Sequence, residues 1–244
     1  MNFDPSEFGI PTQEWGPNVL TLGYVEARER RQLAVGVDPA ALVDYCGVCL
    51  MESIEEPEFD AAGQPVLDIN QHQRLVAPRF EIRSLKRLPR GISHLQIIAE
   101  VSRLITHPEV AGAQIVVDRT GLGPIFDFCV SAGFKNLIGV KITSSVERET
   151  REPDGSGFRV GKLQLVNNLR TCLETGRLKL PRDLPESKTF LEELRAFAMT
   201  VSDRGYASFN SAGSGAHDDL ISASFLSLFA LLPRKMGDWT VEQF

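Results

Sequence analysis

The sequence over residues 33–51, LAVGVDPAALVDYCGVCLM, places an acid at the end of an apolar strand. Residues 33–37 form a short apolar and β-branched run that stops at Asp38-Pro39, and a second strand-like run covers residues 43–51. The two runs predict a β-hairpin with its turn at residues 39–42. A buried strand gains nothing in packing from a terminal acid. Asp38 is therefore either a turn residue that bonds its own backbone or a functional carboxylate.

Two further segments carry acids in comparable positions. The strand-like segment AQIVVDRTGLG ends at Asp118, and the apolar helix in GSGAHDDLISASFLSLFALL begins with His217, Asp218 and Asp219. Strand ends and a helix start can bring together carboxylates that are distant in sequence. Carboxylate oxygens are the ligands that hard divalent cations such as Mg²⁺ prefer. The alternative, a helix cap, requires one acid, and this helix start has two acids and a histidine.

The order of several motifs resembles one known family. GVDPA with VDY, VVDRTGLGPIFDFC, GKLQLVNNLRTCLETGRLKLP and AHDDLISASFLSL are similar to the nuclease domain of phage terminase large subunits, which belongs to the RNase H-like superfamily. The resemblance covers most of residues 33–232. It implies an α/β fold, an RNase H-like mixed β-sheet flanked by helices. The sequence departs from the family at Arg119, where a small residue is frequent, and in apparent insertions at residues 52–72 and 143–159.

The resemblance also implies an activity, that of a metal-dependent DNA endonuclease of the viral DNA-packaging type. Two Mg²⁺ or Mn²⁺ ions would promote phosphodiester hydrolysis. Asp38, as the bridging ligand, Asp118 and Asp219 would bind them, with Asp218 in support or as a substitute for Asp219. Asp44 is left outside this ligand set, and His217 either orients water or phosphate or makes a hydrogen bond at the helix start.

Basic residues suggest how DNA would bind. The strand-like segment QRLVAPRFEIRSLKRLPRG carries Arg79, Arg83 and Arg87, which are predicted to face phosphates. The alternative is a solvated edge strand that its charges protect from aggregation. Lys162, at the start of a predicted helix, corresponds to a basic position of the family and is a predicted phosphate contact or a plain surface lysine.

Composition limits the classes of protein to consider. A chain of 244 residues with 43% hydrophobic content can form one sizeable core, so we expect a nuclease domain at residues 33–244 preceded by an arm or linker at residues 1–32. The net charge of −6 argues against coating nucleic acid by bulk electrostatics but permits a local DNA groove. No apolar run approaches the roughly 20 residues of a membrane span, and no signal peptide is evident. We expect a cytoplasmic location in a host cell.

Cysteine usage fits reduced thiols in that compartment. Cys46 and Cys49 form a CxxC motif, but within a strand their odd separation points them to opposite faces. With Cys129 and Cys172 in predicted helices, burial is favoured over zinc or redox use.

Periodicity predicts most of the remaining elements. Residues 113–118, 124–133 and 136–142 predict a β-α-β unit and therefore parallel strands. Amphipathic spacing predicts helices at residues 92–106, 161–175 and 186–201, and residues 143–159 are predicted to form a mobile loop.

Partners and rival functions follow from the same resemblance. The segment GSGFRVGKL lacks the glycine and the hydroxyl residue of a phosphate loop, since Ser156 and Leu163 stand there. We expect a stand-alone nuclease subunit or an excised domain that acts on double-stranded DNA with a packaging ATPase, a small terminase subunit and a portal. The alternatives are a junction resolvase of the same superfamily, which would require dimerisation, an actin-like kinase or ATPase core, which would require a duplicated core, and a catalytically inactive assembly adaptor.

Overall fold

The computed structural model describes residues 26–39, 44–120, 124–144, 149–201, 207–211 and 217–233. The described residues form two compact units. The smaller unit contains residues 26–29 and 56–76, and the larger contains residues 30–55 and 77–233. The predicted turn at residues 39–42 lies outside the described residues except for Pro39.

The larger unit contains all of the described helices and strands. In chain order these are β1 (Arg30–Asp38), β2 (Cys46–Glu55), β3 (Arg79–Leu88), α1 (His94–Ile105), β4 (Gln114–Asp118), α2 (Ile125–Ser131), β5 (Leu137–Thr143), β6 (Thr150–Arg151), β7 (Gly157–Gly161), α3 (Lys162–Glu174), β8 (Leu178–Lys179), α4 (Ser187–Ala196), β9 (Phe197–Val201), β10 (Ala207–Ser211) and α5 (Asp219–Leu231). Among the described residues, no helix is long and apolar enough to cross a membrane.

Eight strands form one mixed sheet in the order β6-β7-β5-β4-β1-β2-β3-β8. The strands β1, β2 and β3 pair antiparallel, as the hairpin pattern predicts. Strands β1, β4, β5 and β7 pair in parallel, which confirms the predicted β-α-β unit. The mixed sheet with helices on both faces confirms the predicted α/β fold class.

Alternation along the strands creates an apolar cluster on each face of the sheet. Ala34 and Val116 pack with α3, α4 and α5 on one face. Val35 and Val117 pack with α1 and α2 on the other. Cys49 belongs to the first cluster and Cys46 to the second, as their odd separation predicts.

Helix α5 lies in the first cluster and is buried along almost its whole length. Two glycines allow it to lie directly on the sheet. A Cβ on Gly36 would come within 2.0 Å of the Ala223 carbonyl oxygen, and one on Gly47 within 2.1 Å of the Asp219 carbonyl oxygen. Ser227 fixes this contact, since its hydroxyl accepts from Gly36 N and donates to Cys49 O, each at 2.8 Å.

Local sequence signals set several helix ends. Ser93 and Gln96 form a capping box at the start of α1. Helix α3 is followed by Gly176, whose φ of 66° lies in the left-handed region that glycine tolerates best.

Two predicted elements differ from the structure. The helix predicted at residues 186–201 ends at Ala196, because the next five residues pair with β10 instead. Part of the predicted loop at residues 143–159 forms β6 and β7, which continue the sheet beside β5.

In the smaller unit, two acid-centred turns organise residues 56–76. The Asp60 carboxylate accepts from the backbone of Ala62 and Gln64, and Asp68 accepts in the same way from Asn70 and His72. The apparent insertion at residues 52–72 is therefore only partly a separate extension, since residues 52–55 belong to β2.

Candidate active site

Asp38 and Asp118 lie side by side at the ends of neighbouring parallel strands. Val37 of β1 is in register with Val117 of β4, and adjacent strands are about 4.8 Å apart. Because Gly36 faces α5, side-chain alternation turns Asp38 to the same face. Val116 lies in the cluster around α5, so Asp118 faces that side as well.

The start of α5 brings two more acids to this end of the sheet. Gly47 is the register partner of Asp38, and the Asp219 backbone lies directly on Gly47. Asp218 is the N-cap residue of α5, yet its side chain makes no capping hydrogen bond. Its Oδ2 lies instead 3.4 Å from Lys162 Nζ. The Asp218 side chain therefore does not cap the helix.

The electrostatics show that these carboxylates form one cluster. Burial raises the pKa of Asp38 well above its usual range, and the charges of Asp118, Asp219 and Asp218 raise it further, whereas Lys162 opposes them. Burial also raises the pKa of Asp118 against hydrogen bonds from Thr120. The structure thus brings together all four acids that the sequence singled out.

Asp219 is the most enclosed of the acids at the helix start. Burial raises its pKa to about 6, while Arg87 and His217 lower it. Its Oδ2 lies 3.9 Å from Arg87 Nε and 4.0 Å from His217 Nδ1. This oxygen is buried and has no hydrogen-bond partner among the described residues.

Sequence reasoning did not predict that a group of side chains meets around His217. The Arg90 guanidinium contacts His217 Nε2 at 2.7 Å, and the Tyr45 ring meets the His217 ring edge-on with centroids 5.2 Å apart. Arg87 and Arg90 lie 4.8 Å and 4.6 Å from the Tyr45 ring centroid, within the range of cation–π attraction. Asp44 Oδ1 is 3.8 Å from His217 Nδ1. For Tyr45, the available sequence signal was its position beside Asp44 in the hairpin that carries Asp38.

A second missed residue is Glu193 of α4, which is only 5% exposed. Its Oε2 accepts from the backbone N–H groups of Leu220 and Ile221 at 3.0 and 3.2 Å, and its Oε1 pairs with the Arg87 guanidinium. Burial raises the Glu193 pKa to about 7, opposed chiefly by Arg87. The buried face of α4 includes Ser187, Phe190 and Glu193. The sequence signal that could have identified Glu193 is an acid three residues after Phe190, on the same face of the helix.

The three arginines of β3 do not form one stripe. A β-bulge opposite Leu50 and Met51 shifts the strand register. After the bulge, Arg87 pairs with Gly47 and faces α5. Before it, Arg79 alternates with buried Phe80 and so faces the other side, while Arg83 pairs with Glu52 and Glu81. Arg79, Arg83 and Arg87, predicted from the sequence to face phosphates, are therefore divided between the two faces of the sheet.

The donor chemistry at the cluster fits a hard divalent cation. Four carboxylates converge, three of them have raised pKa values, and the Asp219 Oδ2 atom lacks a hydrogen-bond partner. A bound cation would reduce the repulsion between the carboxylates and would coordinate the unsatisfied Asp219 Oδ2 atom. Among the described residues, however, no group of three His, Cys, Asp or Glu side chains is already arranged as a ligand set.

The raised pKa values predict how stability depends on pH. At about pH 5 the folded, metal-free protein holds protons on Asp219 and Glu193, whose pKa values are about 6 and about 7, whereas the unfolded chain, with pKa values near 4, has largely released them. This stabilisation is complete below about pH 4 and is lost as the pH rises through about 7. We expect the melting temperature in EDTA to fall over this range.

Circular dichroism melts with and without Mg²⁺ test this expectation. Mg²⁺ should raise the melting temperature more at about pH 8 than at about pH 5, since protons compete with the cation for the carboxylates. Asp68 and Asp154 have lowered pKa values, so they change the stability only at pH values below this range. A melting temperature that rises from pH 5 to pH 7.5 in EDTA would contradict the assignment.

Comparison with known proteins shows which solved structures this fold resembles. No protein-family model and no curated protein sequence matches the chain. The structure is similar to the crystal structure of the large terminase nuclease from thermophilic phage G20c, with a TM-score of 0.54 and 22% identity over 83% of each chain. The structure of that nuclease with bound magnesium gives a TM-score of 0.51 and 23% identity over 84% of each chain. The chain therefore shares the fold of this phage large-terminase nuclease, which confirms the fold that the resemblance predicted.

Proposed function

We propose that the chain is a metal-dependent DNA endonuclease of the terminase type. The observation that carries the proposal is the convergence of Asp38, Asp118, Asp218 and Asp219 on one end of the sheet, where burial and then the charges of the other three acids raise the pKa of Asp38. Such a cluster is costly to hold without a cation. The magnesium-bound nuclease with the same fold supports the choice of cation.

Asp38, Asp118 and Asp219 would hold two Mg²⁺ or Mn²⁺ ions, with Asp218 as an additional ligand. When bound, the ions would supply an activated water and positive charge at the scissile phosphodiester. The carboxylates fix the position of that charge. The half-buried side chain of Lys162, at the edge of the cluster, is suited to contact and orient a backbone phosphate.

The four proposed DNA contacts differ in their distance from the acids. Lys162 borders the cluster. Arg87 also borders it but is engaged by Glu193, which makes it the weaker contact. Arg79 and Arg83, on the other face of β3, would contact only DNA that passes the edge of the sheet. Phosphate contacts of this kind would bind DNA with little sequence preference.

We further propose that the chain acts within a DNA-packaging assembly in the host cytoplasm. Its partners would be double-stranded DNA, a packaging ATPase, a small terminase subunit and a portal. The support for this is the fold shared with a large terminase nuclease.

Plasmid cleavage tests the proposed activity. We expect purified protein to nick and then linearise supercoiled plasmid in Mg²⁺ or Mn²⁺, and EDTA to abolish the reaction, because the ions supply most of the transition-state stabilisation. Cleavage that persists in EDTA would refute metal dependence. Absence of cleavage with either metal, alone and with a packaging ATPase added, would instead favour the adaptor alternative.

A further inference from the structure

The start of helix α5 is capped by a residue from another helix. The Glu193 carboxylate of α4 accepts from Leu220 N and Ile221 N, which belong to the first turn of α5 and would otherwise lack intrahelical partners. An N-cap side chain usually fills this role. Asp218 occupies that position and does not make the bond. Glu193 therefore satisfies the helix start, and the Asp218 carboxylate is left for Lys162 and the acidic cluster.

Glu193 also engages the arginine that stands beside Asp219. Arg87 is 18% exposed and pairs with Glu193 Oε1, while its Nε lies 3.9 Å from Asp219 Oδ2. Neither Arg87 Nε nor Asp219 Oδ2 has a hydrogen bond among the described residues. The arginine thus faces two carboxylates and is bonded to only one of them.

This arrangement affects the ability of Asp219 to bind a cation. An arginine that closed onto Asp219 would form a strong charge-assisted pair and occupy the oxygen that a metal requires. As long as Arg87 is hydrogen-bonded to Glu193, the Asp219 Oδ2 atom has only a longer ion pair with Arg87 and accepts no hydrogen bond from it. The outer partners of metal ligands typically change metal affinity by about 10–100-fold when they are mutated.

We propose that Glu193 is a positioning residue that caps α5 in place of Asp218 and keeps Arg87 from hydrogen-bonding to Asp219, so that both aspartates stay available to divalent cations. The inference rests on the proposed nuclease centre, to which it adds a residue that does not itself touch the reacting groups.

Glu193→Gln separates the two roles. Glutamine retains an oxygen that can accept from Leu220 and Ile221, but it carries no charge to hold Arg87. At about pH 8, where Glu193 is ionised, we expect Mn²⁺ binding, measured by isothermal titration calorimetry on the purified chain, to weaken about 10-fold or more. The Mn²⁺ concentration needed for half-maximal plasmid cleavage at that pH should rise in parallel. Glu192→Gln, one position earlier on α4 and 59% exposed, is the matched control and should bind Mn²⁺ like the wild type.

A second substitution distinguishes positioning from a structural role. In Glu193→Gln/Arg87→Gln the side chain at position 87 can no longer form a charged pair with Asp219, so Mn²⁺ affinity should recover to within about 3-fold of the wild type. Arg87→Gln alone should bind Mn²⁺ at least as tightly as the wild type, because a competing cation has been removed. This single variant also tests the inference if Glu193→Gln fails to fold.

The outcomes separate this inference from the proposed function. Wild-type protein that binds no Mn²⁺ would overturn the proposed nuclease centre itself. Wild-type binding with unchanged affinity in Glu193→Gln, or a loss that the double variant does not recover, would overturn the positioning role and leave the nuclease intact. Weaker Mn²⁺ binding by Arg87→Gln alone would also overturn it, since Arg87 would then assist the cation.

Discussion

Asp38→Asn should lower plasmid cleavage by more than about 100-fold in Mg²⁺ or Mn²⁺. Asparagine keeps the size of the side chain but removes the charge that would bind a divalent cation. Asp38 is the residue on which the charges of the other three acids act, so its loss should weaken both proposed cation sites. Cleavage of supercoiled plasmid by matched protein preparations measures the effect.

The same substitution should stabilise the metal-free protein. Burial and three neighbouring acids raise the pKa of Asp38, so near neutral pH its charged form costs folding free energy that asparagine does not. The melting temperature in EDTA should therefore rise while activity falls. Asp127→Asn, an exposed acid in the first turn of α2, is the control and should change neither quantity strongly. Equal cleavage by wild type and Asp38→Asn would show that the activity belongs to another site.

Gly47→Ala should disrupt both the packing of α5 on the sheet and the candidate active site. An added Cβ would lie 2.1 Å from the Asp219 carbonyl oxygen and 2.6 Å from its carbonyl carbon. These are backbone atoms, which cannot rotate away as a flexible side chain would. Helix α5 must shift, and Asp218 and Asp219 shift with it. We expect a loss of about 2–4 kcal/mol in the free energy of unfolding, together with loss of cleavage.

Gly112→Ala provides the comparison. Gly112 has a φ of 87° and nothing within 4 Å of an added Cβ, so alanine there should cost only about 1–2 kcal/mol of backbone strain. Its cleavage activity should persist. Urea denaturation of both variants measures the difference in the free energy of unfolding. A Gly47→Ala variant that is as stable as Gly112→Ala and cleaves plasmid normally would show that α5 does not rest on Gly47.

Local patterns in the sequence determined which segments form the central strands of the sheet. Apolar runs that end in Asp38 and Asp118 predict strands, and the helical pattern after Asp118 predicts parallel pairing with the strand that follows it. The parallel pairing of the Asp38 and Asp118 strands, which puts both acids at one end of the sheet, came from the tertiary structure. Two acids at the head of an apolar helix were visible in the same way. The opposite faces of Cys46 and Cys49 follow from side-chain alternation.

Only the tertiary structure decided what surrounds those acids. The bulge between β2 and β3 turns Arg87 toward α5 and leaves Arg83 on the other face, and a one-residue offset of this kind depends on which strands pair. The cap that Glu193 provides joins residues 27 and 28 positions apart. Periodicity reports the structure of a segment and the face it buries. It does not report which buried acid will meet which helix start, because that depends on how the separate elements pack in three dimensions.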